Sequence, residues 1–160
     1  MKTIDEQIKF YLTDAGWYIG ETPIKMQFEA SLDDLDIDAS IVSFQKIDSY
    51  GKTDGRSIYL KESLPWIASL VQMQFLVLHE FFHMKLGHCK DGLDESKKSC
   101  HKREYECDRL ALNHLIRSGK WNKREIKDAI AFFKNIAIED ESETHPSSKS
   151  RYTRLMECIS

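Results

Sequence analysis

Residues 65–87 read PWIASLVQMQFLVLHEFFHMKLG, and Trp66–Leu78 within them is the most apolar stretch of the chain. Pro65 suits the first turn of a helix and Gly87 suits its end, so a helix over about 65–86 is predicted. Toward the end of that helix stand His79-Glu80-Phe81-Phe82-His83, an HExxH pattern. A spacing of four puts both imidazoles on one helix face, one turn apart, where they can share a zinc ion. Glu80, one position on, can reach water held by that zinc. Bound zinc lowers the pKa of water to about 7, and a neighbouring carboxylate can then take the proton. The alternative for the pair is two histidines satisfied by ordinary hydrogen bonds.

A catalytic zinc needs a third protein ligand. About twenty residues after His83 the chain reads Glu104-Tyr105-Glu106-Cys107-Asp108. Glu104 and Asp108 share a helix face with Cys107, Ala111 and Leu115, whereas Glu106 is turned about 200° away at the helical repeat. Two acids on an otherwise apolar face need a partner, because buried carboxylates are paired or bind metal. The reading is Glu104 as third ligand and Asp108 as the acceptor that orients one of the histidines. Ion pairing with Lys102, Arg103 or Arg109 is the alternative. A separate zinc on His88, Cys89, Cys100 and His101 does not match usual finger spacings.

Outward from this centre, the chain opens with Thr3 and Glu6 as a capping box for a helix stopped by Gly16. Leu35, Ile37, Ala39 and Ile41 alternate with Asp36, Asp38 and Ser40, a half-buried strand pattern. Asp34, Asp36 and Asp38 imitate the start of a calcium loop, but Ala39 replaces the required glycine and Gln45 the closing glutamate. Residues 41–50 and 56–60 are predicted as a hairpin turning near Asp54-Gly55. Helices follow over about 99–118, ended by Gly119, and from Asn122 to about Ile138, its cap supported by Glu125. A polar connection over 139–150 and a last helix to about Cys158 complete the chain.

The chain has 160 residues, 31% of them charged and 41% hydrophobic, which is the composition of one folded domain. A net charge of -3 argues against a nucleic-acid binder. No apolar run is long enough to span a membrane. Four cysteines without a secretory leader point to reduced thiols in a cytoplasm. A single domain over 1–160 is expected, with an N-terminal helix and strands (1–64) and a helical zinc-site half (65–160).

HExxH followed by ExxxD resembles the gluzincin zinc peptidases. His145-Pro146-Ser147-Ser148-Lys149-Ser150-Arg151 is similar to the HPxxxxR segment of the CAAX prenyl protease and HtpX metallopeptidases, and Glu104–Asp108 to their ExxAD, with Cys107 in place of Ala. The resemblance covers roughly residues 57–156. It departs from those families in lacking a membrane span, and looks like a minimal soluble core. Gly87-His88 adds a looser likeness to ImmA/IrrE-type and phage-exclusion Lit-type peptidases.

The resemblance implies a zincin-like α+β fold, mainly helical, with a small mixed or antiparallel sheet packed on the HExxH helix. It implies that the strand Ser57, Ile58, Tyr59, Leu60 is the edge that pairs with extended substrate. His145 would lie near the scissile carbonyl and stabilise the oxyanion, with Tyr152 as second choice, and Arg151 would support the site from behind. The function expected is a cytoplasmic zinc endopeptidase, one Zn²⁺ per chain, acting on an intracellular protein or peptide with Glu80 as general base. Its regulation leaves room for an inhibitory or regulatory protein partner. The competing reading is a zinc-containing regulatory or protein-interaction domain without peptidase activity.

Overall fold

The computed structural model describes residues 23–160. The helix expected over Thr3–Gly16 lies outside the described residues. The first element among the described residues is helix α1 (Pro23–Ser31), followed by two single 3-10 turns at Asp33–Leu35 and Ala39–Ile41. Three short strands come next: β1 (Val42–Gln45), β2 (Gly51–Thr53) and β3 (Ile58–Lys61). The remainder is helical: α2 (Leu64–Ile67), α3 (Leu70–Lys85), α4 (Lys97–Ser118), α5 (Lys123–Ile130), α6 (Phe132–Asn135) and α7 (Ser148–Ile159). This is an α+β fold, mainly helical, with one small mixed sheet.

Helix α3 is the central element, touching α1, α4, α5 and the strands β2 and β3. Every residue from Val71 to Glu80 is buried, so this part of the helix is enclosed on all sides, and its largely apolar sequence suits that position. Met73, Phe75, Val77 and Leu78 fill the centre with Ile58 and Leu60 from the sheet, Phe28 and Leu32 from the α1 region, and Leu112 and Leu115 from α4. Each such side chain contributes about 1.5–3 kcal/mol by leaving water. The two buried glutamines of α3 are satisfied: Gln72 Nε2 donates to the Asp128 carbonyl (2.9 Å), and Gln74 Oε1 accepts from Trp121 Nε1 (2.9 Å).

The expected helix over 65–86 is two helices. Ala68 is extended and Ser69 starts α3 afresh, its hydroxyl accepting from Gln72 N while the Gln72 side chain accepts from Ser69 N. That reciprocal cap offsets the interruption. The helix expected from Asn122 to about Ile138 also breaks, at Ala131, between α5 and α6. Its start is as expected: Asn122 and Glu125 form a capping box. Gly119, at φ 68°, ends α4 in the left-handed cap that glycine tolerates best.

The strands differ more from expectation. The alternation over 35–41 is produced by turns, not a strand. Leu35 and Ile37 point into the core, Asp36 takes a left-handed φ of 57°, and the Asp38 carboxylate accepts from Ser40 N at 2.9 Å. Local acceptors of this kind compete with strand pairing. The hairpin does turn at Asp54–Ser57, but its first arm is β2, not residues 41–50. β2 and β3 pair antiparallel in the register Gly51↔Leu60, Lys52↔Tyr59, Thr53↔Ile58. β1 pairs with β3 in parallel, giving the order β1-β3-β2. Ser57–Leu60 is therefore not an edge: Ile58, Tyr59 and Leu60 are bonded on both sides in the central strand, and β1 and β2 are the edges among the described residues, of which β2 is the one beside Glu80. No helix among the described residues is long and apolar enough to cross a membrane.

Candidate functional site

α3 and α4 pack face to face, and the packing brings their polar residues into one buried cluster. From α3 come His79 and Glu80, both buried, and His83, half-buried; from α4 come Glu104 and Asp108, both buried. His79 Nε2 lies 3.0 Å from His83 Nε2 and 3.6 Å from Glu104 Oε2, and His83 Nε2 also contacts Glu104 Oε2. Ligand bonds of about 2.0–2.1 Å in a tetrahedral site would set donor atoms roughly 3.3 Å apart. The two imidazoles and the carboxylate, all within 4.8 Å of one another, are therefore a donor set able to hold a divalent cation.

The surroundings fix each donor. His79 Nδ1 sits 2.8 Å from Asp108 Oδ1, close but out of line for a well-directed hydrogen bond. Asp108 is clamped by Arg151, whose Nε donates to Oδ2 at 2.8 Å and Nη2 to Oδ1 at 2.6 Å. The Arg151 guanidinium also lies 4.2 Å over the Phe133 ring. Glu104 divides its oxygens: Oε2 faces the histidines, and Oε1 contacts His145 Nε2 at 3.1 Å and Arg151 Nη1 at 3.9 Å.

The electrostatics favour an added cation. Three carboxylates, Glu80, Glu104 and Asp108, are buried here with one buried guanidinium. Burial raises the Glu104 carboxyl, but His79 and the hydrogen bond from His145 outweigh it and hold the group well below the ordinary range. Burial likewise lowers His79, but Glu104 and Asp108 outweigh it and raise the imidazole to about 10. A proton held that tightly on a buried imidazole marks a place where positive charge is stabilised. Burial pushes the Glu80 carboxyl up, and the nearby histidines only partly offset it.

The cluster faces an open cleft of about 320 Å³ bounded by β2, Glu80, His83, Glu104 and His145. Gly51 matters to this wall. A Cβ there would stand 3.3 Å from both Glu80 Cγ and Oε1, a tight contact, so the absence of a side chain lets the strand lie close against the carboxylate. A larger groove of about 460 Å³ reaches Asp108 and Arg151 from the opposite side, lined by Lys102, Arg109 and Arg154, and includes none of His79, Glu80 and His83.

The residues singled out from sequence thus divide. His79, Glu80, His83, Glu104, Asp108, His145 and Arg151 are brought together. Tyr152 is not: one step round the helix from Arg151, its ring packs at the core margin with the Lys134 ammonium 5.7 Å away. The cleft is lined by Gly51, Lys52 and Thr53, not by the central strand at Ser57–Leu60. The His88/Cys89/Cys100/His101 grouping does not form: His101 Nε2 bonds the Ser142 carbonyl (2.7 Å), while His88 turns to His83 and Cys107. The sequence reading missed Gly51 and the pairing of His88. A glycine at a strand start was the signal available for the first.

A family model, that of peptidase U49, matches residues 67–160. The match runs from the end of α2 to the last residue and covers every member of the buried cluster. No curated protein and no solved structure matches the chain.

Proposed function

This chain belongs to the peptidase U49 family, and from that premise we propose that it is a zinc-dependent endopeptidase of gluzincin type. The observation that carries the reading is the convergence of His79 Nε2, His83 Nε2 and Glu104 Oε2 beside the buried carboxylate of Glu80. Imidazole and carboxylate donors in that number suit zinc with one position left open. When bound, zinc would polarise the scissile carbonyl and lower the pKa of its water to about 7.

The remaining work belongs to the chain. Glu80 takes the proton of the attacking water and passes it to the leaving amide nitrogen; a carboxyl raised by burial is better matched to that exchange near neutrality. His145, half exposed at the cleft, gives its Nε2 proton to Glu104 Oε1 at rest and would turn it to the developing oxyanion when substrate is bound. Its hydrogen bond to Glu104 raises its pKa, which favours the donor form. Arg151 holds Asp108, and Asp108 holds His79, so the HPxxxxR segment supports the site at both ends. The substrate is an extended stretch of protein, paired along the β2 edge at Gly51–Thr53.

The test separates base from ligand. Glu80→Gln should keep its zinc and its melting temperature but lose at least about 10²-fold in turnover. The same variant, used as bait with bound proteins identified by mass spectrometry, supplies the substrate for the assay. Full turnover by a folded Glu80→Gln protein would refute the mechanism.

A further inference from the structure

His83 uses both ring nitrogens. Nε2 faces His79 and Glu104, and Nδ1 lies 2.9 Å from Nδ1 of His88. His88 reaches that position through the end of α3. Gly87 takes a φ of 71°, its N–H bonds the Met84 carbonyl (3.2 Å), and the His88 N–H bonds the His83 carbonyl (2.9 Å). This left-handed cap folds the second residue beyond the helix back onto the third residue from its end, where an apolar contact usually forms. Here the contact is imidazole on imidazole, with ring centroids 5.1 Å apart. Cys107 Sγ closes the far side, 3.6 Å from the same His88 nitrogen.

Resting on the zinc reading, we propose that His88 is a positioning residue that fixes the tautomer and ring orientation of His83. A neutral imidazole offering Nε2 as a ligand carries its proton on Nδ1 and must donate it. The nearest acceptor is His88 Nδ1, which leaves the His88 proton on its own Nε2. The two histidine ligands are thus held differently: His79 by the Asp108 carboxylate and Arg151, His83 by a neutral ring delivered by a helix cap. Partners of this kind typically change metal affinity 10–100-fold when removed.

The experiment measures Zn²⁺ affinity and stoichiometry by chelator competition in the wild-type chain and in His88→Ala, His88→Asn, Cys107→Ser and His79→Ala. His88→Ala should bind one zinc about 10–100-fold more weakly, with unchanged circular dichroism. His88→Asn should recover most of the affinity, because its Oδ1 can accept the same proton. Should His88→Ala not fold, His88→Leu, which keeps bulk and lacks the acceptor, takes its place. Wild-type affinity in the Ala or Leu variant, or no recovery in Asn, overturns the proposal. So does a second zinc equivalent lost in both the His88 and Cys107 variants, since His88 would then be a ligand itself. Failure of the underlying site looks different: no zinc on the wild-type chain, or full zinc on His79→Ala, removes both readings together.

Discussion

Asp108 is the residue on which the site's architecture leans, because it is buried between His79 and Arg151. Burial raises its carboxyl, but the Arg151 guanidinium outweighs that and holds it below the ordinary range. A carboxylate depressed in the folded state contributes stability that is present above its unfolded pKa, about 3.9, and is lost as pH falls through the folded value. Asp108→Asn in the metal-free protein should therefore lose about 3–5 kcal/mol at neutral pH, the scale for leaving a buried charge without its partner. The deficit relative to wild type should narrow below about pH 4. Urea unfolding at the two pH values reads both, and an equal deficit at each would contradict the ion-pair account. At this scale the sequence was informative where a residue's neighbours lie on its own helix: His79 and His83 by their spacing, Glu104 and Asp108 by their shared face. His88 was not legible, because its role depends on a cap that reverses the chain direction. Tyr152, the second choice for the oxyanion, packs at the core margin, a placement its sequence neighbours did not indicate.

Elements were legible in proportion to how local their determinants are. The starts and stops at Asn122, Gly119 and Ser147 are set by single side chains or a glycine, and they lie where the sequence indicated or close to it. The strands depend on partners distant in the chain. Nothing within Ile58–Lys61 says that it will be flanked on both sides, and the alternation at 35–41 is equally consistent with inward-facing turns. The consequence for function is concentrated at β2. Gly51→Val should press on Glu80, since even a Cβ would stand 3.3 Å from its carboxylate. Turnover should fall by an order of magnitude or more, while the melting temperature drops by only a few degrees, as expected for about 1 kcal/mol. A variant that loses stability and activity in parallel would place Gly51 in the folding of the sheet and not in the geometry of the base.

At the scale of the whole molecule, one enclosed helix carries most of the design. α3 is buried against α4 and α5 on one side and the sheet on the other, and its last turns bear His79, Glu80 and His83 where the core opens to the cleft. A rigid helix inside a packed core holds ligands more closely than a loop would. The central claim is that His79, His83 and Glu104 hold one zinc ion and Glu80 does not. The direct measurement is the zinc content per folded chain, by elemental analysis, across the wild type and the four single variants His79→Ala, His83→Ala, Glu104→Ala and Glu80→Gln. The account predicts about one zinc in the wild type and in Glu80→Gln, and close to none in the other three. A folded wild-type chain without zinc, or full zinc retained by His79→Ala, His83→Ala or Glu104→Ala, would contradict it.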